Sequence, residues 1–146
     1  MDAPIVIFDL DGTLIDSVPD IHAAASRLLE AEGCSPLPLA TIRSFIGHGV
    51  PALIDQSIAV TALDSSKREQ LIAMFLEDYN ANAAVLTTLF PGVLDCLEFF
   101  KNRGFKLGVC TNKPLEPTLA ILNAFGISDR FDTVVGGDCF PSKKPE

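Results

Sequence analysis

The sequence predicts an α/β fold: a Rossmann-like parallel sheet core with an inserted all-helical cap. Three short apolar runs rich in β-branched residues alternate with helical patterns, which is the order expected of parallel strands. Between the first two runs, residues 16–87 carry helical patterns only. The predicted domains are therefore an α/β core, residues 1–15 and 88–146, and a helical cap, residues 16–87.

The core elements follow from their boundaries. Ile5–Phe8 is a continuous apolar run, typical of a strand buried on both faces of a parallel sheet. Glycines end the two helices that lead into and out of the second strand. The predicted order is strand Ile5–Phe8, helix Val93–Arg103 before Gly104, strand Phe105–Cys110, a helix around Pro114 that ends at Gly126, and strand Asp132–Val135 before Gly136 and Gly137.

The cap elements follow from capping residues. Ser17 is placed as an N-cap, with Asp20 in the first helical turn, and Gly33 ends that helix. Ser66 and Glu69 form a capping-box pattern that opens a longer helix through Tyr79. Two shorter helices are predicted between them, at Thr41–Ile46 and Val50–Val60.

Composition narrows the function classes. Of the 146 residues, 48% are hydrophobic and 21% charged, which supports a packed core, and the net charge is −8. An acidic surface repels nucleic acid and anionic membranes, so we expect neither as a partner. No apolar run reaches the roughly 18 residues of a membrane span, and the N-terminus does not have the pattern of a signal peptide. We expect a cytoplasmic protein with free thiols and no zinc site, since its four cysteines form no CxxC pair.

Asp9 and Asp11 are the leading chemical candidates because they follow the first strand directly. A carboxylate on a rigid strand end can attack phosphorus, and a second acid two residues on can protonate the leaving oxygen. Gly12 permits the tight turn that lets both acids face one ligand, beside Thr13. Paired carboxylates also suit Mg²⁺.

Two further polar sets follow the other strands and should meet this loop at the same edge of the sheet. They are Thr111, Asn112 and Lys113, and the pair Lys143 and Lys144. Thr111 with nearby backbone N–H groups can bind phosphate oxygens, and a lysine can neutralise phosphoryl charge. The alternatives are that Thr111 and Asn112 only cap the next helix and that the lysines are solvated surface charges.

Two other sites are excluded by position. A calcium loop of the EF-hand type needs an acid at its fifth position and glycine at its sixth. Counted from Asp9, these positions hold Thr13 and Leu14. A thiolate phosphatase is excluded because no cysteine is followed at the required spacing by arginine.

These motifs resemble those of the haloacid dehalogenase superfamily. DLDGTLIDS at Asp9–Ser17 resembles its first motif, CTNKP at Cys110–Pro114 its second, and KKP at Lys143–Pro145 its third. The phosphoglycolate phosphatases of that superfamily are similar at IGHGV (Ile46–Val50), FPGV (Phe90–Val93) and GGD (Gly136–Asp138).

The resemblance implies Mg²⁺-dependent hydrolysis of a small phosphorylated metabolite, 2-phosphoglycolate, through an aspartyl-phosphate intermediate. It makes Asp9 the nucleophile and a Mg²⁺ ligand, and Asp11 the acid/base and second ligand. Lys144 becomes the third-motif lysine, and the helical insertion becomes a mobile cap that reads the substrate. The implied substrate and phosphate contacts are Gly12, Thr13, Thr111, Asn112, Lys113 and, from the cap, Arg43 and His48.

One departure from the family pattern bears on activity. The chain ends at Glu146, before the fourth motif with its acidic Mg²⁺ ligands, so we expect a truncated core with its first strand at an open edge. The alternatives are therefore an inactive fragment or a phosphate- and Mg²⁺-binding module, with a homodimer through that edge. A sugar-phosphate mutase is a further alternative, and a dehalogenase is disfavoured by Asp11.

Overall fold

The computed structural model describes residues 2–146 and has the predicted α/β fold with a parallel sheet. The chain divides into two compact units. The segment up to Asp16 together with Thr88–Glu146 forms the first unit, and Ser17–Thr87 forms the second. Each unit is described by itself below.

The elements are numbered in chain order. They are β1 (Ile5–Phe8), β2 (Ile15–Asp16), α1 (Val18–Ala31), α2 (Leu39–Phe45), α3 (Val50–Val60), α4 (Arg68–Asn82), β3 (Thr88–Leu89), α5 (Val93–Lys101), β4 (Lys106–Cys110), α6 (Leu115–Ala124) and β5 (Thr133–Val135). Short 3-10 turns lie at Ser65–Lys67 and Ser128–Arg130.

The first unit is built on a three-stranded parallel sheet with the order β1-β4-β5. Phe8 is paired with Val109 in the ladder, and Cys110 is paired with Val135. All three strands therefore end at the same edge, where the chain continues into Asp9, Thr111 and Gly136. This register brings the three predicted polar segments to one side of the sheet.

The prediction that β1 is buried on both faces is wrong. Ile5 and Ile7 are 65% and 67% exposed. Phe8, on the other face of the pleat, packs edge-on against Phe100 of α5 and against Phe131. Because β1 is an edge strand and its neighbours contact this one face, the alternate isoleucines face solvent.

A short antiparallel pair of strands, β2 and β3, lies where the chain leaves and re-enters the first unit. The sequence did not reveal this pair. Ile15 and Asp16 of β2 pair antiparallel with Leu89 and Thr88 of β3. The Phe90 N–H extends this pairing by donating to the Leu14 carbonyl at 3.1 Å. Strands of two residues are too short to show a period of two in the sequence.

The second unit is a bundle of four helices in which α4 packs against α1 and α3. Its core contains the stacked rings of Phe75 and Tyr79, with centroids 5.6 Å apart, and both side chains are almost fully buried. Arg27 of α1 makes a bidentate ion pair with Asp78 of α4. Leu71 of the same helix is also fully buried in this core. Among residues 2–146, no helix is long and apolar enough to span a bilayer, and all four cysteines are free thiols.

Two capping predictions need correction. Ser17 occupies the N-cap position of α1, but its side chain makes no capping hydrogen bond. Ser66 is not the cap of the longer helix, because the Asp64 carboxylate accepts from both the backbone N–H and the hydroxyl of Ser66. Glu69 pairs with Arg68 instead of closing a capping box. Asp64 therefore accepts from the Ser66 N–H, which is the donor that Glu69 would bind in a capping box.

Asp20 has a role that its place in a first helical turn did not indicate. Its carboxylate is 3% exposed and accepts from the backbone N–H of Leu86 at 2.8 Å and of Thr87 at 2.7 Å. The Thr87 hydroxyl donates to it at 2.7 Å. Asp20 therefore ties the beginning of the second unit to its end.

We predict that Asp20→Ala destabilises the second unit by about 2–4 kcal/mol, because it removes the acceptor of the buried Thr87 N–H and of the partly buried Leu86 N–H. The chain has one tyrosine and no tryptophan, so Tyr79 fluorescence during urea unfolding reports on this unit. Glu30→Ala, an exposed acid on the same helix, is the control and should change the midpoint little. Equal midpoints for the two variants would contradict the role given to Asp20.

Asp132, which precedes β5, joins β5 to the central strand β4. Its N–H donates to the Leu107 carbonyl, and its carboxylate accepts from the Leu107 N–H, both at 2.8 Å. The pKa of Asp132 lies below its ordinary value, mainly because of this backbone hydrogen bond and also because of Lys101. The ionised form is therefore favoured in the folded protein, and the stabilisation is present above the unfolded-state pKa of about 3.9.

We predict that the stabilisation from Asp132 is lost as the pH falls from about 4 through the folded-state pKa. Asp132→Asn should lower the urea midpoint at pH 6, and its difference from the unsubstituted chain should shrink at pH 3.5. Far-UV circular dichroism measures both midpoints, and Asp129→Asn, an exposed acid in the preceding turn, is the control. A difference that does not change with pH would refute this assignment.

Candidate active site

The loop after β1 holds Asp9 and Asp11 in a tight turn. Gly12 has a φ of 77°, in the left-handed region that favours glycine, as the sequence predicted. The Leu10 carbonyl accepts from the N–H groups of Thr13, Leu14 and Ile15, which closes the loop on itself. The Leu10 N–H donates to Asp9 Oδ1 at 2.8 Å. The turn therefore fixes the Asp9 carboxylate immediately beyond the strand end.

Lys144 pairs with Asp9. Its Nζ lies 3.0 Å from Asp9 Oδ1, and the two side chains are 38% and 47% exposed. Lys144 is thus paired with Asp9, and the pair remains open to solvent. A partner approaching from solvent reaches the carboxylate and the ammonium together.

Lys113 pairs with Asp11 in a more enclosed place. Its Nζ lies 3.2 Å from Asp11 Oδ1, and the lysine side chain is only 4% exposed. Burying an ammonium group requires a charged or polar partner, so Asp11 accounts for the burial of this lysine. Each acid of the first loop thus has its own lysine from a different strand end.

Thr111 is buried and begins the loop after β4. Its N–H donates to the Val135 carbonyl at 3.0 Å, and its hydroxyl oxygen accepts from the Lys113 N–H at 3.1 Å. A hydroxyl that accepts one hydrogen bond still has a proton to donate. Neither Thr111 nor Asn112 caps the next helix, because α6 begins only at Leu115, whose N–H donates to Asp138 at 2.8 Å.

The glycine pair after β5 fits closely against the loop after β4. A Cβ on Gly137 would lie 2.0 Å from the Asn112 carbonyl oxygen, and one on Gly136 would lie 2.6 Å from the Leu115 nitrogen. The Gly137 N–H donates to the Lys113 carbonyl at 2.8 Å. Side chains at these positions would separate the two loops, so the glycines are required for their contact.

Asn112 uses its side-chain amide to hold the third loop. Its Oδ1 accepts from the Lys144 N–H at 2.9 Å, and its Nδ2 donates to the Lys144 carbonyl at 3.3 Å. The sequence placed Asn112 near phosphate but did not reveal this link, because a contact between residues 32 positions apart leaves no local pattern.

The remaining predicted site residues are less tightly linked. Thr13 is exposed in the first loop, and Lys143 is exposed beside Lys144. Arg43, at the end of α2, and His48, between Gly47 and Gly49, are both exposed in the second unit. Their substrate roles stay predictions. An open hollow of about 330 Å³ is lined in part by Thr111, Asn112, Gly137, Phe140, Lys143 and Lys144.

The donors present fit magnesium in kind. Within residues 2–146 no three His, Cys, Asp or Glu side chains gather into a metal-binding group. Mg²⁺ is nonetheless commonly held by one or two carboxylates together with waters and substrate phosphate. Asp9 and Asp11 supply two such carboxylates, each now beside a lysine.

Comparison with known proteins identifies the family of this chain. The sequence profile of the haloacid dehalogenase-like hydrolases matches residues 6–146, and the chain belongs to this family. It is 44% identical over 145 residues to a phosphoglycolate phosphatase of Cereibacter sphaeroides, a match that covers 98% of this chain and 66% of that protein.

Two further matches carry similar descriptions. A phosphoglycolate phosphatase of Caulobacter vibrioides is 38% identical, over 97% of this chain and 60% of that protein. The crystal structure of a predicted phosphoglycolate phosphatase from Haemophilus somnus matches with a TM-score of 0.91 at 30% identity, covering 98% of this chain and 66% of that one. The chain thus spans about two thirds of the length of the Cereibacter sphaeroides relatives.

We predict that Gly137→Ala destabilises the first unit by about 1–3 kcal/mol, because the added methyl group overlaps the Asn112 carbonyl. Gly108→Ala is the matched control, since a Cβ there meets atoms only at 3.6 and 3.8 Å. Urea unfolding followed by circular dichroism measures both variants. A loss no larger for the Gly137 variant than for the Gly108 variant would show that the two loops are not held this closely.

Proposed function

We propose that this chain is the major part of a Mg²⁺-dependent phosphatase that hydrolyses a small phosphate monoester through a phosphorylated Asp9. One observation carries the proposal: two carboxylates at the end of β1 each face a lysine, Lys144 at 3.0 Å and Lys113 at 3.2 Å. Separate ammonium groups for the nucleophile and for the acid suit a reaction on a dianionic ester.

In the first half of the reaction, Asp9 attacks phosphorus. Lys144 and the Leu10 N–H both contact Oδ1, so Oδ2 is the oxygen that forms the new bond to phosphorus. The ester P–O bond breaks as this bond forms, and Asp11, which enters this step in its protonated form, gives its proton to the leaving oxygen. The Lys144 ammonium offsets the negative charge shared by Asp9 and the phosphoryl group.

In the second half, water hydrolyses the aspartyl phosphate. Asp11, now ionised, takes a proton from the water as its oxygen attacks phosphorus, and the bond to Asp9 breaks. The products are inorganic phosphate and the regenerated Asp9 carboxylate. In this proposal Thr111 donates its hydroxyl proton to a phosphoryl oxygen, because its oxygen already accepts from the Lys113 backbone N–H.

Asp9 and Asp11 are the residues that would hold Mg²⁺, with the Asp11 backbone carbonyl as a further oxygen donor. The ion, when bound, offsets the repulsion between a carboxylate nucleophile and an anionic phosphoryl group. Any cation at these carboxylates competes with Lys144 and Lys113, so its binding should depend on the substrate's phosphate completing the set of oxygen ligands.

The substrate that we propose is 2-phosphoglycolate. The support is the name shared by the relatives at 34–44% identity, together with the Gly47–Gly49 loop, whose two glycines have positive φ and flank the exposed His48. In this proposal Arg43 and His48 recognise the substrate carboxylate, and residues 17–87 exclude water as a cap. The acidic net charge of −8 supports a small metabolite over nucleic acid as the ligand.

We predict that Asp9→Asn lowers phosphate release from 2-phosphoglycolate by at least about a thousandfold, because an amide cannot serve as the nucleophile. Release by the unsubstituted chain should stop with chelator and return with Mg²⁺. Asp129→Asn is the control and should retain full activity. Mg²⁺-dependent release that survives in the Asp9 variant would reject Asp9 as the nucleophile, and binding of phosphate without release would favour a binding module.

A further inference from the structure

We propose that Asn112 is a positioning residue for Lys144. Its side-chain amide bridges both backbone polar groups of Lys144, accepting from the N–H at 2.9 Å and donating to the carbonyl at 3.3 Å. Asn112 is only 8% exposed. A buried amide thus pairs with the Lys144 backbone much as a neighbouring strand would.

This bridge matters because the segment that carries Lys144 has little other burial. Residues 140–143 and 145–146 are exposed, and only Lys144 itself is half-buried. The Lys144 ammonium nonetheless lies 3.0 Å from Asp9. Asn112 fixes the backbone from which that side chain extends, so it determines where the ammonium can reach.

Only an amide satisfies both partners of this bridge. An aspartate would keep the acceptor for the Lys144 N–H but lose the donor to the carbonyl, and a serine has too short a side chain to span both. Asn112 is itself held, because Gly137 packs against its backbone. The close contact at Gly137 thus restrains Asn112, and Asn112 in turn restrains the Lys144 backbone.

The family resemblance implied a direct contact between Asn112 and the phosphoryl group. In this proposal Asn112 instead acts through Lys144. It rests on the proposed function only in assigning Lys144 to the phosphoryl group. A displacement of a catalytic group by about 1 Å can cost on the order of a hundredfold in rate, so we expect a kinetic effect from Asn112 although it forms no bond to the substrate.

A kinetic double-mutant cycle tests the dependence. Asn112→Ala alone should lower kcat for 2-phosphoglycolate by roughly 10- to 100-fold. In the Lys144→Ala background, the same change should have less than about a twofold effect, because the residue it positions is gone. Asn123→Ala, an exposed asparagine on α6, is the control. Effects that multiply in the double variant would overturn the proposal and restore Asn112 as a direct ligand.

Lysine labelling tests the same link without turnover. An amine-acylating reagent is applied to the folded 146-residue chain, and mass spectrometry compares labelling at Lys144 with that at the exposed Lys143 next to it. In Asn112→Ala the ratio should rise about two- to fivefold, as expected for loss of an exposed ion pair, and Asp9→Ala should raise it equally. Adding Asn112→Ala to Asp9→Ala should raise it no further.

The two measurements separate the two proposals. If the chain releases no phosphate but the labelling ratio rises in Asn112→Ala and not in Asn123→Ala, the proposed function fails and the positioning role stands. If the ratio in Asn112→Ala equals that of the unsubstituted chain, Asn112 does not hold Lys144 at Asp9, and the positioning role fails whatever the activity.

Discussion

The absence of side chains at Gly136 and Gly137 lets two loops meet backbone to backbone, and the geometry of the site depends on this contact. It holds the segment from Asn112 to Leu115 against the end of β5. Asn112 then fixes Lys144, and the neighbouring Lys113 points its ammonium at Asp11. The acidic loop after β1 supplies the carboxylates, but their partners are placed by a contact between two other loops.

The resulting arrangement balances charge before any ligand arrives. The two carboxylates of the first loop meet two ammonium groups, one almost fully buried and one open to solvent. The buried pair is fixed in place because separating it would leave a charge in a poorly solvated region. The open pair can rearrange at little cost. The Asp9 carboxylate is therefore the more accessible of the two.

The sequence was sufficient for the features that short patterns encode. The strand before Asp9, the turn at Gly12 and the helix Val50–Val60 all follow from local residue preference, and parallel topology brings the three polar segments to one edge. It was insufficient where partners lie far apart in the chain. The Asn112 bridge, the grip of Asp20 on residues 86–87 and the Asp132 link to Leu107 all depend on tertiary contacts, and the exposed Ile5 and Ile7 depend on which face the helices cover.

The antiparallel pairing of β2 with β3 has an evolutionary consequence. Asp16 and Thr88 are paired neighbours. The whole intervening segment therefore connects two adjacent positions of the first unit. The entropy of closing such a connection grows only slowly with its length, and insertions are tolerated where chain ends lie close together. A family built on this arrangement can lengthen, shorten or replace the inserted helices while leaving the carboxylates and lysines of the core unchanged.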